Sequence, residues 1–304
     1  MDTTELAAWT REEATLSVNS TDYNQTKLIQ LMNQTMSTVI EPIIANARSG
    51  YWCHTFTRTL GANNAIVRLP PRATPAIEQA DISTDGGATW APLSLALESE
   101  IEEWANDYRA SLYPVAYYIR SSYVHLIPAA KVDTVQLRVK TLVKPSQLVA
   151  AQAAGRITAF DYDTRIATVN ALPVNAITSA TLATNDIVDV VEPRANFELA
   201  TLDAVVTVVD PTHVQFSPAY STSKIEVGDY IRHANQSEWP QLPETFHSII
   251  GSITAVPICR QRDLLERAST LADVGGVNLQ RLDGHLRPRV RTQDHKPQKH
   301  NWSY

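Results

Sequence analysis

The residues that could do chemistry are scattered along this sequence. Eight histidines, His54, His125, His213, His233, His247, His285, His295 and His300, are spread over 304 residues, and none stands at a metal-ligand spacing from another histidine, a cysteine or an acid. Imidazoles so isolated read as structural or surface groups. Cys53 and Cys259 lie near opposite ends of the chain, which excludes a cysteine-rich zinc site or a disulfide scaffold and fits folding in a reducing cytosol. Asp161 and Asp163 flank a tyrosine in a turn, where aspartate is favoured for its bonds to nearby amides; a calcium loop needs more oxygen ligands than follow. Glu98, Glu100, Glu102 and Glu103 form an acidic cluster that reads as a solvated helix face, with a partner contact as the functional alternative. Gly-x-Gly-x-x-Gly, the phosphate loop, His-Glu-x-x-His, Gly-x-Ser-x-Gly and Cys-x-x-Cys do not occur. Glycine supplies only 10 residues, about half the usual ~7%, so few turns could cradle a phosphate. These observations predict no catalytic residue, no metal, no cofactor and no enzyme activity.

The most specific local motif is Ser83-Thr84-Asp85-Gly86-Gly87-Ala88-Thr89-Trp90. It resembles the Asp-box of sialidases and other propeller proteins. Its physics is local: the aspartate bonds turn amides, glycine allows positive φ, and tryptophan packs under the hairpin. Propellers carry one box per blade, whereas here it occurs once, with no repeat around it. The motif therefore reads as a stable hairpin, and a glycan-binding or glycan-active protein is the distant alternative.

Charge is placed unevenly. The chain holds 26 Lys and Arg against 32 Asp and Glu, a net of −6. Residues 281–304 hold Arg281, Arg287, Arg289, Arg291, Lys296 and Lys299 against Asp283 and Asp294, a net of +4 that leaves −10 on the rest. This segment ends in Asn301-Trp302-Ser303-Tyr304. Interrupted by acids and prolines, it is a modest phosphate binder, but it suits docking on a protein: Arg287, Arg289, Arg291, Lys296 and Lys299 for carboxylates, Trp302 and Tyr304 as pocket anchors.

The elements that must carry these residues read as α+β. Residues 1–50 form an N-terminal helical part. A short helix spans about 5–14, and a long one spans 22–48, capped by Asp22, kinked by Pro42 and stopped by Gly50. Period-two patterning over 51–145 predicts an antiparallel β region, with the acidic stretch 98–107 as a short exposed helix or loop. Residues 146–239 read as an inserted small barrel or sandwich of five or six strands. A C-terminal helical part follows over 240–280, broken by Pro257 and ended by Gly275-Gly276; 281–304 is an extended basic arm. The two helical parts each show one apolar face, so they are expected to pack as one bundle with the β regions inserted between them. Met1-Asp2-Thr3-Thr4-Glu5 lacks the basic and apolar regions of a signal peptide, and no run approaches a membrane span.

Pro240-Gln241-Leu242-Pro243-Glu244-Thr245-Phe246-His247, following Gly228-Asp229-Tyr230-Ile231 at the end of the inserted β region, resembles the start of the C-terminal helical section of head-to-tail connector (neck, or adaptor) proteins of tailed bacteriophages. Leu286-Arg287-Pro288-Arg289-Val290, opening a basic tail, and the run from Tyr117-Tyr118-Ile119 to Leu126-Ile127-Pro128 are similar to that family as well. The resemblance implies a virion structural protein in the neck between capsid and tail, assembled in the host cytoplasm. It implies a homo-oligomeric ring, usually dodecameric, bound to the portal protein and to tail tube, nozzle or fibre proteins. Genomic DNA would be passing cargo only, and no membrane would be involved. Another tail or fibre-attachment protein is the alternative.

Overall fold

The chain turns helical almost at once, for a local reason. Asp2 accepts the backbone N–H groups of Thr4 and Glu5 at the start of α1 (Thr3–Glu13), while the Glu5 carboxylate accepts the N–H of Asp2. This reciprocal box satisfies amides that a helix start leaves without partners. The computed structural model describes residues 1–17, 20–47, 51–70, 72–151, 154–193, 199–218, 220 and 222–287. Over these the protein is mixed α+β, with sheets and a closed barrel lying in sequence between helices.

The long N-terminal helix departs from its expected form. Asn24, not Asp22, caps α2 (Gln25–Thr35), its side chain accepting the Lys27 N–H at 2.9 Å. The α-helix stops at Thr35, a π-helical turn covers Met36–Ile40, and α3 (Glu41–Ala47) follows. Pro42 has no N–H to offer the Thr38 carbonyl. The backbone widens ahead of the proline, and the Glu41 N–H reaches back five residues to the Met36 carbonyl. The expected stop, Gly50, lies outside the described residues.

Two expected breaks at the other end do not occur. α5 (His247–Gln261) runs through Pro257, and α6 (Leu265–Leu286) runs through Gly275 and Gly276. α5 buries Ile249, Ile250, Ala255, Val256, Ile258 and Cys259, and that packing outweighs one lost backbone bond at proline. The break falls at Asp263, which takes φ 57°. Gly275 serves contact: a Cβ there would stand 3.2 Å from Cγ1 of Ile253 on α5. α6 also passes the boundary set at 280. Leu282 and Leu286, one turn apart, are buried, so residues 281–286 of the segment expected to be an extended arm are helical, and residues 288–304 lie outside the described residues.

Leu6, Leu28, Met32, Ile40 and Ile44 share one apolar cluster with Ile249, Ile250, Ile258, Leu271, Leu282 and Leu286. α5 approaches α1 so closely that a Cβ on Gly251 would lie 2.6 Å from Trp9 Cδ1. Trp9 Nε1 donates to the Ser252 hydroxyl at 3.3 Å, and the Thr35 and Thr254 hydroxyls meet at 2.9 Å.

Residues 51–145 form two four-stranded sheets over one core. Their strands are β1 (Cys53–Thr59), β2 (Asn64–Arg68), β3 (Ala73–Ser83), β4 (Ala91–Pro92), β5 (Ser94–Leu95), β6 (Ala116–Arg120), β7 (Tyr123–Ala130) and β8 (Gln136–Val143), in the orders β1-β8-β3-β4 and β2-β7-β6-β5. Strict alternation in β8 turns Leu137, Val139, Thr141 and Val143 inward. Pairing is antiparallel except between β5 and β6, which α4 (Ile101–Asp107) connects as a crossover.

The chain then pairs β9 (Gln147–Leu148) in parallel with β16 (Gln236–Ser237). Between them lies a closed barrel of β10 (Gly155–Asp161), β11 (Ile166–Val169), β12 (Ile187–Val191), β13 (Leu199–Asp210), β14 (His213–Phe216) and β15 (Tyr230–His233), in the order β10-β11-β14-β13-β12-β15. Ile157, Val188, Val190, Val206, Val214, Phe216 and Ile231 fill it.

The glycines of α5 and α6 separate contact from propensity. Gly251→Ala should lower stability by about 1–3 kcal/mol, because the added methyl meets Trp9. Gly276→Ala should raise it by about 0.5–1 kcal/mol, because nothing lies within 4 Å of a Cβ there. Urea unfolding of the two variants checks both signs.

Candidate functional site

A connected set of buried charged side chains lies where the barrel meets the start of β3 and the link into β9. Asp189, at the middle of β12, is fully buried. Arg72, just before β3, places Nη2 2.8 and 2.7 Å from its two carboxylate oxygens, and Nη1 3.0 Å from the Ser146 hydroxyl. The same Nη2 lies 3.4 Å from Asp203 Oδ1. Arg232, the cross-strand neighbour of Asp189 in β15, donates from Nη2 to the Ser146 hydroxyl at 3.2 Å. Asp189 also accepts the N–H groups of Asp203 and Asn235 at 3.0 and 3.1 Å. The Arg232 Nε and Nη1 and the Arg72 Nε have no acceptor among the described residues. Two carboxylates, Asp189 and Asp203, and two guanidiniums share this buried space, so the group holds together only as a set.

Burial sets the ionisation here. It pulls the Arg232 guanidinium down to about 9, against the attraction of Asp189. It pushes the Asp203 carboxyl up, with Arg72 opposing. His54 on β1 faces the same region and is lowered to about 4, first by burial, then by Lys224 and Arg72, with Asp189 opposing. Arg58, on the same strand, stands 5.6 Å over the Tyr220 ring beside the barrel. Sheet and barrel thus meet through charge and one cation–π contact. The contacts made here join parts of the chain: Arg72 to Asp189, Asp203 and Ser146, and Arg232 to Ser146.

The helices tie into the same joint. Asn33 on α2 brackets Leu148, donating to its carbonyl at 2.9 Å and accepting its N–H at 2.7 Å. The Thr3 N–H reaches the Glu238 carbonyl and its hydroxyl the Val149 carbonyl. Gln241 accepts the Ser146 N–H, and the Trp52 indole donates to the Gln241 carbonyl.

The motifs singled out from sequence resolve into turns. Asp85 accepts the Ser83 hydroxyl and both the N–H and the hydroxyl of Thr89, bonds that hold its carboxyl well below the usual range. The Trp90 indole donates to the Gly87 carbonyl, and Arg138, paired to Asp81, lies 4.4 Å over the Trp90 ring. Asp161 accepts the N–H groups of Asp163 and Thr164 in the β10–β11 turn. His247 bridges the Met1 terminus and the Leu242 carbonyl, and burial lowers it. Among the described residues no three His, Cys, Asp or Glu are grouped to hold a metal ion, and no helix is long and apolar enough to cross a membrane.

The acidic stretch 98–107 is a 3-10 turn (Glu98–Glu100) followed by α4. Ile101 and Trp104 anchor it on Ala96, Ala116 and Ile127, and Glu102 and Glu103 remain exposed. Beside it Leu95, Leu97, Glu98, Tyr118, Ile119 and Arg120 line a shallow cleft of about 200 Å³. Of the candidate partner-binding residues, Arg287 is at the end of α6 and pairs with Asp283 at 2.8 Å. Arg289, Arg291, Lys296, Lys299, Trp302 and Tyr304 lie outside the described residues. No family model matches the sequence, and no curated protein matches it.

Sequence reading passed over the joint, although a signal was present. Asp189 interrupts Ile187-Val188-Asp189-Val190-Val191, and Arg232 follows Ile231 in the strand that pairs with it. A charge inside an apolar strand demands a partner.

Two measurements test this joint. Asp189→Asn should cost about 3–5 kcal/mol, because it takes from Arg72 its closest carboxylate and from Arg232 its cross-strand one, leaving only the longer 3.4 Å pair of Arg72 with Asp203. Adding Arg72→Met should cost less than the sum of the single losses in a double-mutant cycle. His54 sets a pH dependence. Its folded value, about 4, lies below the unfolded 6.5, so the unfolded chain binds the proton first. Its contribution to stability is therefore complete above pH 6.5 and is lost as pH falls toward 4. His233 and His247, also lowered by burial, act in the same sense, while Asp203 opposes at the acid end. His54→Gln should flatten the fall in melting temperature between pH 6.5 and 4 without abolishing it.

Proposed function

We propose that this chain is a structural virion protein whose copies form a ring joining the capsid portal to the tail, with DNA passing through and no chemistry performed on it. The observation that carries the reading is the insertion architecture. Helices from both parts of the chain share one apolar cluster, and a β sandwich and a closed barrel lie between them in the chain, the barrel flanked by the paired strands β9 and β16. On this reading the helices form a single bundle that meets neighbouring copies and the portal, and the β units reach outward to tail components. The acidic body repels the phosphate backbone of DNA in transit, and the basic arm docks on an acidic groove of the portal or of a neighbouring copy. The sequence likeness to neck proteins, carried by residues 228–247 and 286–290, supports the same assignment.

Electron microscopy of the purified chain, alone and with its portal, tests this. Closed rings that sit coaxially on the portal are expected. A chain ending after Arg287 should keep the melting temperature of the full protein, because Leu286 and the Arg287–Asp283 pair remain, and should lose attachment to the portal. A full-length protein that stays monomeric at high concentration and ignores the portal would overturn the reading.

A further inference from the structure

The geometry points to a receptor for the basic arm on this chain itself. We propose that the cleft beside β5 and α4 receives segment 288–304 of a second copy. This deepens the assembly reading by naming two surfaces that meet. It does not need the capsid vertex, so its failure in purified protein leaves attachment to the portal as a separate question.

The cleft carries exposed leucines beside its charged lining residues Glu98 and Arg120. Leu95 and Leu97 on its wall are 56% and 59% exposed, and Tyr108, Leu112 and Tyr113 are exposed within the same short stretch of chain. Large aliphatic side chains clustered at this exposure mark a contact surface. β5 is the edge strand of its sheet, and among the described residues no strand pairs with its outer side. The cleft itself is lined by one acid, Glu98, and one base, Arg120, and the turn and helix that follow Glu98 add Glu100, Glu102, Glu103 and Asp107 against Arg109. Glu100 accepts the Leu97 N–H at 3.1 Å, which locks the acidic turn onto the apolar wall, and the anchoring of Ile101 and Trp104 leaves the Glu102 and Glu103 carboxylates facing solvent.

A partner for this surface needs cations to meet these acids and large amphipathic rings to fill the wall. Segment 288–304 has that composition: Arg289, Arg291, Lys296 and Lys299 against the single acid Asp294, then Trp302 and Tyr304. Extended at about 3.3 Å per residue, it reaches on the order of 55 Å past the end of α6. Leu286 at that end belongs to the helical cluster, whereas the cleft belongs to the sheet of β5 and β6. One arm and one cleft per copy make a head-to-tail contact, the type that closes into rings.

Charge reversal in the full-length chain tests this. Glu102→Arg with Glu103→Arg alters only α4 beside the cleft, and Arg289→Glu with Arg291→Glu alters the arm alone. By sedimentation velocity each variant should self-associate at least about tenfold more weakly than the unaltered chain, with the melting temperature kept because Glu102 and Glu103 are exposed. An equimolar mixture of the two should regain association, since each cleft then finds a complementary arm on the other variant. Leu95→Asp should weaken association without any change of arm charge. Three outcomes would each overturn the proposal: an unaltered chain that stays monomeric, variants that associate as the unaltered chain does, or a mixture that stays dissociated while a single chain carrying all four reversals associates normally.

Discussion

Asp189 is a carboxylate with no access to water, and the arrangement of the units follows from where its partners come from. Arg72 arrives from the sandwich, Arg232 from the neighbouring barrel strand, and Ser146 from the link between them, with its hydroxyl shared by both guanidiniums. A buried ion pair adds little net stability over apolar residues of the same volume, because desolvation offsets most of the attraction. What it adds is orientation. Turning the barrel on its two connecting strands would leave two cations and a carboxylate buried apart, which costs several kcal/mol, whereas an apolar contact tolerates sliding.

The helices are held to this joint by neutral bonds. Asn33 closes both of its amide groups on Leu148, and Thr3 reaches both Glu238 and Val149. Since β9 and β16 lie side by side, the strands that enter and leave the barrel are gripped together by α1 and α2. Within the helical layer, close approach depends on Gly251 under Trp9 and Gly275 under Ile253. The inner part of the molecule is therefore specified twice, by charge at the joint and by shape between the helices.

The outer surface follows a different rule. The Asp85 turn spends its carboxylate on local hydroxyls and an amide, and Asp161 does the same. Those acids stabilise hairpins and offer nothing to a partner. In the acidic stretch, Glu100 caps the Leu97 N–H, while Glu102 and Glu103 on α4 are exposed and follow exposed leucines in the chain. A basic, aromatic segment on the same chain matches that surface in charge, and the proposed contact between copies rests on this match.

Local information in the sequence was enough for several elements. Helical periodicity marked the apolar faces of α2, α5 and α6, period-two alternation marked β8, and turn chemistry marked the hairpins at Asp85 and Asp161, because each of these depends on neighbours within a few residues. Glycine and proline misled wherever a distant surface outvoted them. Pro257 and Gly275 stay within helices because α5 is buried and α6 lies against Ile253, and Leu282 and Leu286 keep α6 going under a basic exterior. The π-turn before Pro42 was beyond pattern, since a missing N–H can bend a helix or widen it. The joint was the least legible part. Arg72, Ser146, Asp189 and Arg232 are spread over 160 positions of the chain, and only barrel closure and the β9–β16 pairing bring them within hydrogen-bond reach. A sequence states which charges are buried in apolar runs; the tertiary structure alone decides which of them meet, because Coulomb attraction and hydrogen bonds act over ångströms of space rather than positions in the chain.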